Sequence, residues 1–380
     1  MKKKLAIIGA SYLQKPLVEK CKELGVYSIC FAWEEGAVCK DLCDKFYPIS
    51  TIDKEAILKV CQDEQIDGIT TIASDVATLT VSFVAEKMGL IGNPDKYSQT
   101  ATNKYLMRKC FMEHDIPSPK FCLTDGVIPE IAKSFAFPVI VKPTDRSGSR
   151  GVEKVEKEED LKEAIDRACA ESFQKRAVIE EFVEGREISV ESISFKGKHH
   201  ILQVTDKVTT EAPFFVELEH HQPSSLPDDI KVKVKCIVLN ALDALHIQYG
   251  ASHSELKITK NGDIRVIEIG ARMGGDFIGS DLVKLSTGYD FLKGVIDVAF
   301  GEFKEPKITE KKYSGVYFLC KETEKLLPII QNAANYPEIV RAEITDPILR
   351  KIEQSADRSG YFIYQSENNK FVLENVEFFR

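Results

Sequence analysis

The chain has 380 residues, 51 Lys and Arg against 59 Asp and Glu for a formal charge of −8, and 43% hydrophobic residues. That length holds two or three domains with real cores, while the acidic balance argues against a nucleic-acid partner, which needs a basic stripe. No apolar run approaches the roughly 18–20 residues that cross a bilayer. After Lys2-Lys3-Lys4 the apolar stretch Leu5–Ala10 is too short for a signal peptide, so a soluble, cytoplasmic protein is expected.

In chain order, Leu5–Gly9 reads as a first strand, an amphipathic helix through Leu17, Val18, Cys21 and Leu24 follows, and Gly25 closes it. Tyr27–Trp33 and Ile69–Ala73 read as further strands. Alternation at this spacing predicts a parallel α/β sheet. The turn Gly9-Ala10-Ser11-Tyr12 has one glycine where a dinucleotide fingerprint wants three, so an architectural or small-ligand role is preferred for this domain. Ser74-Asp75 after the Ile69–Ala73 strand reads either as a helix N-cap or as a substrate contact. A boundary falls near Gly92-Asn93-Pro94. Beyond it Asn103–Met112 is helical, and then strands dominate: Val139–Val141, Val178–Phe182, Ile188–Ser194, Ile201–Thr205, Ser254–Ile258, Ile264–Ile269 and Gly315–Cys320. The charge run Glu153–Asp160 reads as the solvated start of a helix ending near Ala170. The ten cysteines show no CxxC pair and no ligand spacing with histidine, which fits reduced, buried thiols. His199-His200 and His220-His221 alternate in direction if on strands, so neither pair converges on one ion; they read as surface or substrate-side residues.

The most informative segment is His253-Ser254-Glu255 through Asn261-Gly262 to Ile267-Glu268. Asn-Gly between β-rich runs predicts a two-residue type I′ hairpin. Lys260 then faces Asp263, and paired positions sum to 523, as do Glu255 and Glu268. Two carboxylates would stand opposite with Cβ atoms about 4.5–5.5 Å apart. Either they share a hard divalent cation, or Lys257 and Arg265 neutralise a solvated pair. Arg272 lies on the same face, where a guanidinium could clamp a phosphate or carboxylate. Upstream, Val139–Val141 carries Lys142 into the small-residue loop Thr144–Val152, which is able to wrap phosphates with backbone amides. The strand Ala177–Phe182 breaks at Gly185, with Glu187 just beyond, placed to hold ribose hydroxyls.

A lysine on a helix, a Lys-Pro strand with a glycine-rich loop, Glu-Glu-Phe-Val with Gly-Arg-Glu, then His-Ser-Glu and Ile-Glu-Ile-Gly-Ala-Arg occur in this order. The set resembles the ATP-grasp superfamily over roughly residues 1–300, most closely its carboxylate–amine ligases related to L-amino-acid ligases and to carbamoyl-phosphate and purine-pathway enzymes. The resemblance implies an α/β and α+β fold: a Rossmann-like domain over 1–94, a first ATP-grasp lobe over 95–183, a second lobe with the metal site over 184–303, and a small C-terminal α+β subdomain over 304–380. It implies that Lys104 and Lys142 contact ATP phosphates under a lid of Ser147, Gly148, Ser149 and Gly151. Glu180, Glu181 and Val183 would hold adenine and Glu187 the ribose. Lys207 would reach the transferred phosphate, Glu255 and Glu268 would bind Mg2+ or Mn2+, and Arg272 would orient the acid. The family often has Asn where this chain has Gly270. The implied reaction is ATP-dependent amide formation between a small carboxylate and an amine through an acyl-phosphate, releasing ADP and phosphate. Its alternatives are a bicarbonate-activating enzyme of the purine or carbamoyl-phosphate type and a nucleotide-binding module without turnover. No nucleic-acid or membrane partner is expected, and enzymes of this kind suggest a homodimer. Phe214–Glu217 and His220-His221 read either as the acceptor pocket or as a surface loop.

Overall fold

The computed structural model describes residues 2–148, 150–210, 212, 214–369 and 371. The first block runs β1 (Lys4–Ile8), α1 (Lys15–Glu23), β2 (Tyr27–Phe31), β3 (Lys45–Tyr47), α2 (Lys54–Glu64), β4 (Gly68–Thr70) and α3 (Asp75–Met88). Its four strands form a parallel sheet in the order β3-β2-β1-β4. α1 buries Leu17, Val18 and Cys21 on one face, as the 3.6-residue period requires. Gly25 turns the chain out of the helix at φ +70°.

The second block contains α4 (Asp95–Ser98), α5 (Lys104–Glu113), β5 (Phe121–Thr124), β6 (Val139–Pro143), β7 (Glu153–Val155), α6 (Leu161–Glu171) and β8 (Ala177–Glu181). Its sheet is antiparallel, ordered β5-β8-β6-β7. The charge run at 153–160 is therefore not the start of a helix. Glu153–Val155 pairs with β6 as an edge strand, burying Val155, and the helix begins only at Leu161. Charged residues beside one inward apolar residue suit an edge strand as well as a helix.

The remainder comprises β9 (Arg186–Phe195), β10 (Lys198–Thr209), β11 (Glu217–Gln222), α7 (Asp228–Ala244), β12 (Gly250–Ile258), β13 (Ile264–Gly270), α8 (Val283–Thr287), α9 (Phe291–Ala299), β14 (Tyr313–Leu319), α10 (Leu327–Gln331), β15 (Ile339–Ile344) and β16 (Gly360–Ser366). An eight-stranded antiparallel sheet, ordered β13-β12-β9-β10-β11-β14-β16-β15, gathers all eight strands. Strands from both sides of residue 304 thus share one ladder, through β11 and β14. α5 and α7 cover one face, packing Met107, Phe111, Val234, Val238 and Leu242 against Ile188, Val190, Leu256 and Val266. On the other face α9 and α1 meet Ile193, Leu202 and Ala251, which docks the parallel sheet. The expected boundary at Gly92–Pro94 is a tether: Asn93 Oδ1 accepts from the amides of Gln248 (2.7 Å) and Tyr249 (2.8 Å), and its Nδ2 donates to Tyr249 O (2.9 Å).

His220 and His221 lie on β11 and are buried, so the surface-loop reading of that segment is wrong. They point to opposite faces: His220 packs edge-on against Phe318, while His221 bonds Tyr364 and Glu219. All ten cysteines are free thiols, seven of them buried. No helix among the described residues is long and apolar enough to cross a membrane.

Candidate active site

The β12–β13 hairpin sets the frame of the site, and its turn differs from the expected one. Thr259 N–H donates to Asp263 O, and Gly262 N–H to Thr259 O, both at 2.9 Å. Only Gly262 takes positive φ, at +81°. The loop is the three-residue kind, a type I turn followed by a left-handed glycine, and not a two-residue type I′ turn. Pairs near the turn are consequently shifted by one, with Ile258 facing Ile264 and Leu256 facing Val266. A β-bulge at Ile267 then inserts one residue and shifts the register back, so that Glu255 faces Glu268 after all. The two departures cancel. Ile267 O, pulled from the ladder, accepts from Arg108 Nη2 at 2.6 Å.

Each carboxylate has a lysine from a different element. Lys207 on β10 places Nζ 2.7 Å from Glu255 Oε1, 2.8 Å from Glu187 Oε1 and 3.5 Å from Glu217 Oε1. Lys104, at the first turn of α5, donates to Glu268 Oε1 and to Arg146 O, both at 2.8 Å. Asn103 caps that helix by accepting from Leu106 N–H (3.1 Å), which fixes where Lys104 begins. Burial alone would depress the Lys207 ammonium, but the carboxylates of Glu187, Glu255 and Glu217 outweigh it and hold its pKa well above the usual value. Burial would raise Glu255; Lys207 and His253 overcome this and hold it well below the usual carboxylate range. His253 is itself lifted to about 9, because Glu191 offsets the burial that would lower it. Counted with their other partners, six carboxylates (187, 191, 217, 255, 268 and 276) face four cations (Lys104, Lys207, His253 and Arg358), which leaves excess negative charge around the pair. Glu255 and Glu268 are each about a quarter exposed. Two such oxygen donors fit a hard divalent cation. Among the described residues no group of three His, Cys, Asp or Glu side chains forms a protein cage, so most coordination positions would fall to phosphate and water, as Mg2+ prefers.

Lys142, on β6, lies 2.8 Å from Glu180 Oε2 on β8, and both are buried. Arg108 completes this cluster: its Nη2 donates to Glu180 Oε2 at 3.1 Å, and its Nε stands 2.9 Å from Oε1, off the line of a hydrogen bond. Burial is the main cause that depresses the Lys142 pKa, and Arg108 and Lys104 add to it against the pull of Glu180. The Glu180 carboxylate is thereby committed to two cations. Glu181 N–H donates to Lys120 O (2.9 Å). Glu181, Val183 and Glu187 are half-buried along the same edge. In the loop after β6, Gly148 and Gly151 take φ +67° and +70°. Ser147 is half-buried, and Arg146 stacks on Phe173 at 3.7 Å. Ser149 lies outside the described residues.

Arg272 is half-buried beyond the carboxylate pair and grips Asp75, the first residue of α3: Nε donates to Oδ1 at 2.8 Å and Nη2 to Oδ2 at 3.0 Å. Ala73 N–H donates to Met273 O at 3.0 Å, stitching the segment after β4 to the segment after β13. In the first turn, Gln14 fills the space beside Gly9, with Oε1 accepting from Ser11 N–H (3.1 Å) and Nε2 donating to Ile72 O (2.7 Å). Farther along the cleft, Arg358 bonds Asp276 (2.8 Å) and Glu217 (3.2 Å).

Arg108, His253 and Arg358 were not expected at the site from the sequence, and Asp75, expected as a helix N-cap or a substrate contact, instead pairs with Arg272. Arg108 had a signal, because it sits four residues after Lys104 on one helix face. The pairing of Asp75 with Arg272, 197 residues apart, had none.

Residues 135–281 match the model of the ATP-grasp domain. The chain carries an ATP-grasp domain. Within that domain fall Lys142, Glu180, Glu187, Lys207, both paired glutamates and Arg272, while Lys104 and Asp75 come from outside it. The chain is 27% identical over 273 residues to alanine–anticapsin ligase of Bacillus subtilis, covering 65% of this chain and 57% of that one. It is also 24% identical over 382 residues to the C-terminal section of the carbamoyl phosphate synthase large chain of Aquifex aeolicus, covering 92% and 68%. The chain therefore spans less than two thirds of the alanine–anticapsin ligase it matches. Among solved structures, the L-amino acid ligase of Bacillus licheniformis superposes with a TM-score of 0.78 at 23% identity over 97% of this chain and 94% of that one. Phosphoribosylglycinamide synthetase of Anaerococcus prevotii gives 0.77 at 21%, over 97% and 95%. Both share the overall fold of this chain.

Proposed function

We propose that the protein is a cytoplasmic, ATP-dependent carboxylate–amine ligase acting on small molecules. The observation that carries the reading is the facing pair Glu255 and Glu268, each held by a lysine, with the Arg272 guanidinium one step beyond on the same strand path. A carboxylate oxygen attacks the γ-phosphorus of ATP; the new O–P bond forms as the bridging β–γ bond breaks and ADP leaves. The amine nitrogen then attacks the acyl carbon, the C–O bond to phosphate breaks, and the amine gives up a proton. Fixed cations stabilise such charge best where water is excluded. Lys104 and Lys207 would flank the transferred phosphoryl group, Lys142 would hold the nucleotide under the loop at 147–151, and Arg272 would face the acid. Glu181, Val183 and Glu187 line the edge proposed for adenosine, with Glu180 beneath it. Mg2+ or Mn2+ held by Glu255 and Glu268 would neutralise phosphate charge. The similarity to alanine–anticapsin ligase favours amino acids as substrates, and a homodimer is the expected assembly.

The test is ADP release from Mg2+-ATP with pooled amino acids, with and without bicarbonate. Release that needs amino acids, stops with chelator, returns with Mg2+ and is lost in Glu268→Ala supports the ligase. Release driven by bicarbonate moves the assignment to a bicarbonate-activating enzyme. Binding of ATP without ADP formation in any mixture identifies a non-catalytic module.

A further inference from the structure

Position 270 lies on the metal-facing side of β13, yet it has no side chain. Its backbone does not demand glycine, because Gly270 is absent from the residues of positive φ. Space does. A Cβ there would stand 2.5 Å from Asp75 Oδ1 and 3.1 Å from Cζ and Nε of Arg272. Those atoms are side-chain ends, but both are tied into one half-buried two-point ion pair, so making room for a Cβ loosens that pair.

The fold delivers Asp75 to this point from a distant domain. In the order β3-β2-β1-β4 the chain reverses direction across the sheet beside β1, and ligand-facing residues gather outside the carboxyl ends of strands at such a switch point. The segment after β4 is drawn across to Met273, turns at Ala73 with φ +55°, and starts the 14-residue α3 at Asp75. A carboxylate at a helix N-terminus is favoured by the dipole. Burial would raise its pKa, but the guanidinium of Arg272 and the charge of Lys104 hold Asp75 ionised and below the usual range. Arg272 spends Nε and Nη2 on Asp75, and its Nη1 makes only a long contact to Met273 O at 3.4 Å.

We propose that Asp75 is a positioning residue for Arg272, supplied by the N-terminal domain, and that Gly270 is the residue that admits it. The acid-activating side of the site is then complete only when the parallel-sheet domain is docked. This rests on the ligase reading of Arg272.

The experiment is a double-mutant cycle of Asp75→Ala, Gly270→Ala and the double variant, with Asp75→Asn as a milder fourth. ADP release from a mixture of the proteinogenic amino acids, the Kd of Mg2+-ADP by calorimetry and Tm are measured for each. A misplaced guanidinium costs roughly 10–100-fold, so each single variant loses that much kcat while the Kd of ADP stays within about twofold. The double variant is no worse than Asp75→Ala, and Asp75→Asn, which keeps one acceptor oxygen, lies between. Losses that multiply, or a kcat for Asp75→Ala within about twofold of wild type, would overturn the proposal and leave Asp75 an interdomain contact. If the wild type releases no ADP, the ligase reading fails separately. The cycle is then judged on Tm, where equal losses for Asp75→Ala and the double variant support the pair and additive losses reject it. If Asp75→Ala does not fold, Asp75→Asn with Gly270→Ala decides in the same way.

Discussion

Glu180 is a buried carboxylate, which is costly unless paired, and here it has two cations, Arg108 and Lys142. Removing one member of a buried charge cluster strands the others, at a cost of about 3–5 kcal/mol. Glu180→Gln should lose about that much in urea denaturation at pH 7. The pH sign follows from its pKa. Burial alone would raise it, but Arg108 and Lys142 hold it below the ordinary 4.5. Its stabilisation is therefore complete above that value and drains away as pH falls through the depressed native pKa. Glu180→Gln should show a flatter acid limb than wild type, and an unchanged limb would refute the assignment. Lys207, proposed to flank the transferred phosphoryl group, is the matching residue, with three carboxylates around one ammonium. Lys207→Met should lower ADP release by roughly 10²–10³-fold, the usual loss when a fixed charge at the reacting centre is removed. A variant with near-native turnover would exclude Lys207 from phosphoryl transfer.

At the scale of elements, the hairpin shows how local structure can protect a site. Its turn shifts the register by one and the bulge at Ile267 shifts it back, so Glu255 and Glu268 meet despite a loop of unexpected length. The alternation around Asn261-Gly262 made the pair legible in the sequence, but the turn type and the bulge were not: a glycine of positive φ also serves the three-residue loop, and the bulge carries a contact to the distant Arg108, which claims Ile267 O. Gly262→Ala forces a Cβ into the left-handed region at φ +81° and should cost about 1–2 kcal/mol in denaturation. The Kd for Mg2+-ADP should hold, since the bulge lies between the turn and the glutamates. A lost nucleotide affinity would mean that the turn, and not the bulge, sets the register. The helix α5 serves the site in the same indirect way, holding Lys104 and Arg108 on one face while Met107 and Phe111 anchor it to the large sheet.

For the whole molecule, the segment after residue 304 matters as structure before it matters as function. β14 extends the sheet from β11, and Val316, Phe318, Leu319, Phe362 and Tyr364 are buried with it. A chain ending at residue 303 would leave β11 as an open edge over an uncovered apolar surface. It should aggregate or run as a larger species than the full chain in size-exclusion chromatography, whereas a cooperatively folding product that keeps the full chain's oligomeric state would show that the segment is dispensable.

Much of the site was written locally. The paired glutamates follow from a period-two pattern about a glycine turn and Lys142 from an apolar strand meeting a small-residue loop, whereas Lys104 was marked only by the resemblance to the ATP-grasp superfamily. The strand and its loop are short-range consequences of backbone geometry, but Glu255 meets Glu268 only because the bulge at Ile267 offsets the turn. The partners that give those residues their charge states come from far away in the chain: Arg108 for Glu180, Lys207 for Glu255, and above all Asp75 for Arg272. No periodicity couples residues 75 and 272. Only the docking of the parallel sheet against the large antiparallel one brings the start of α3 to the end of β13, because desolvating a guanidinium there is tolerable only with a carboxylate already in place.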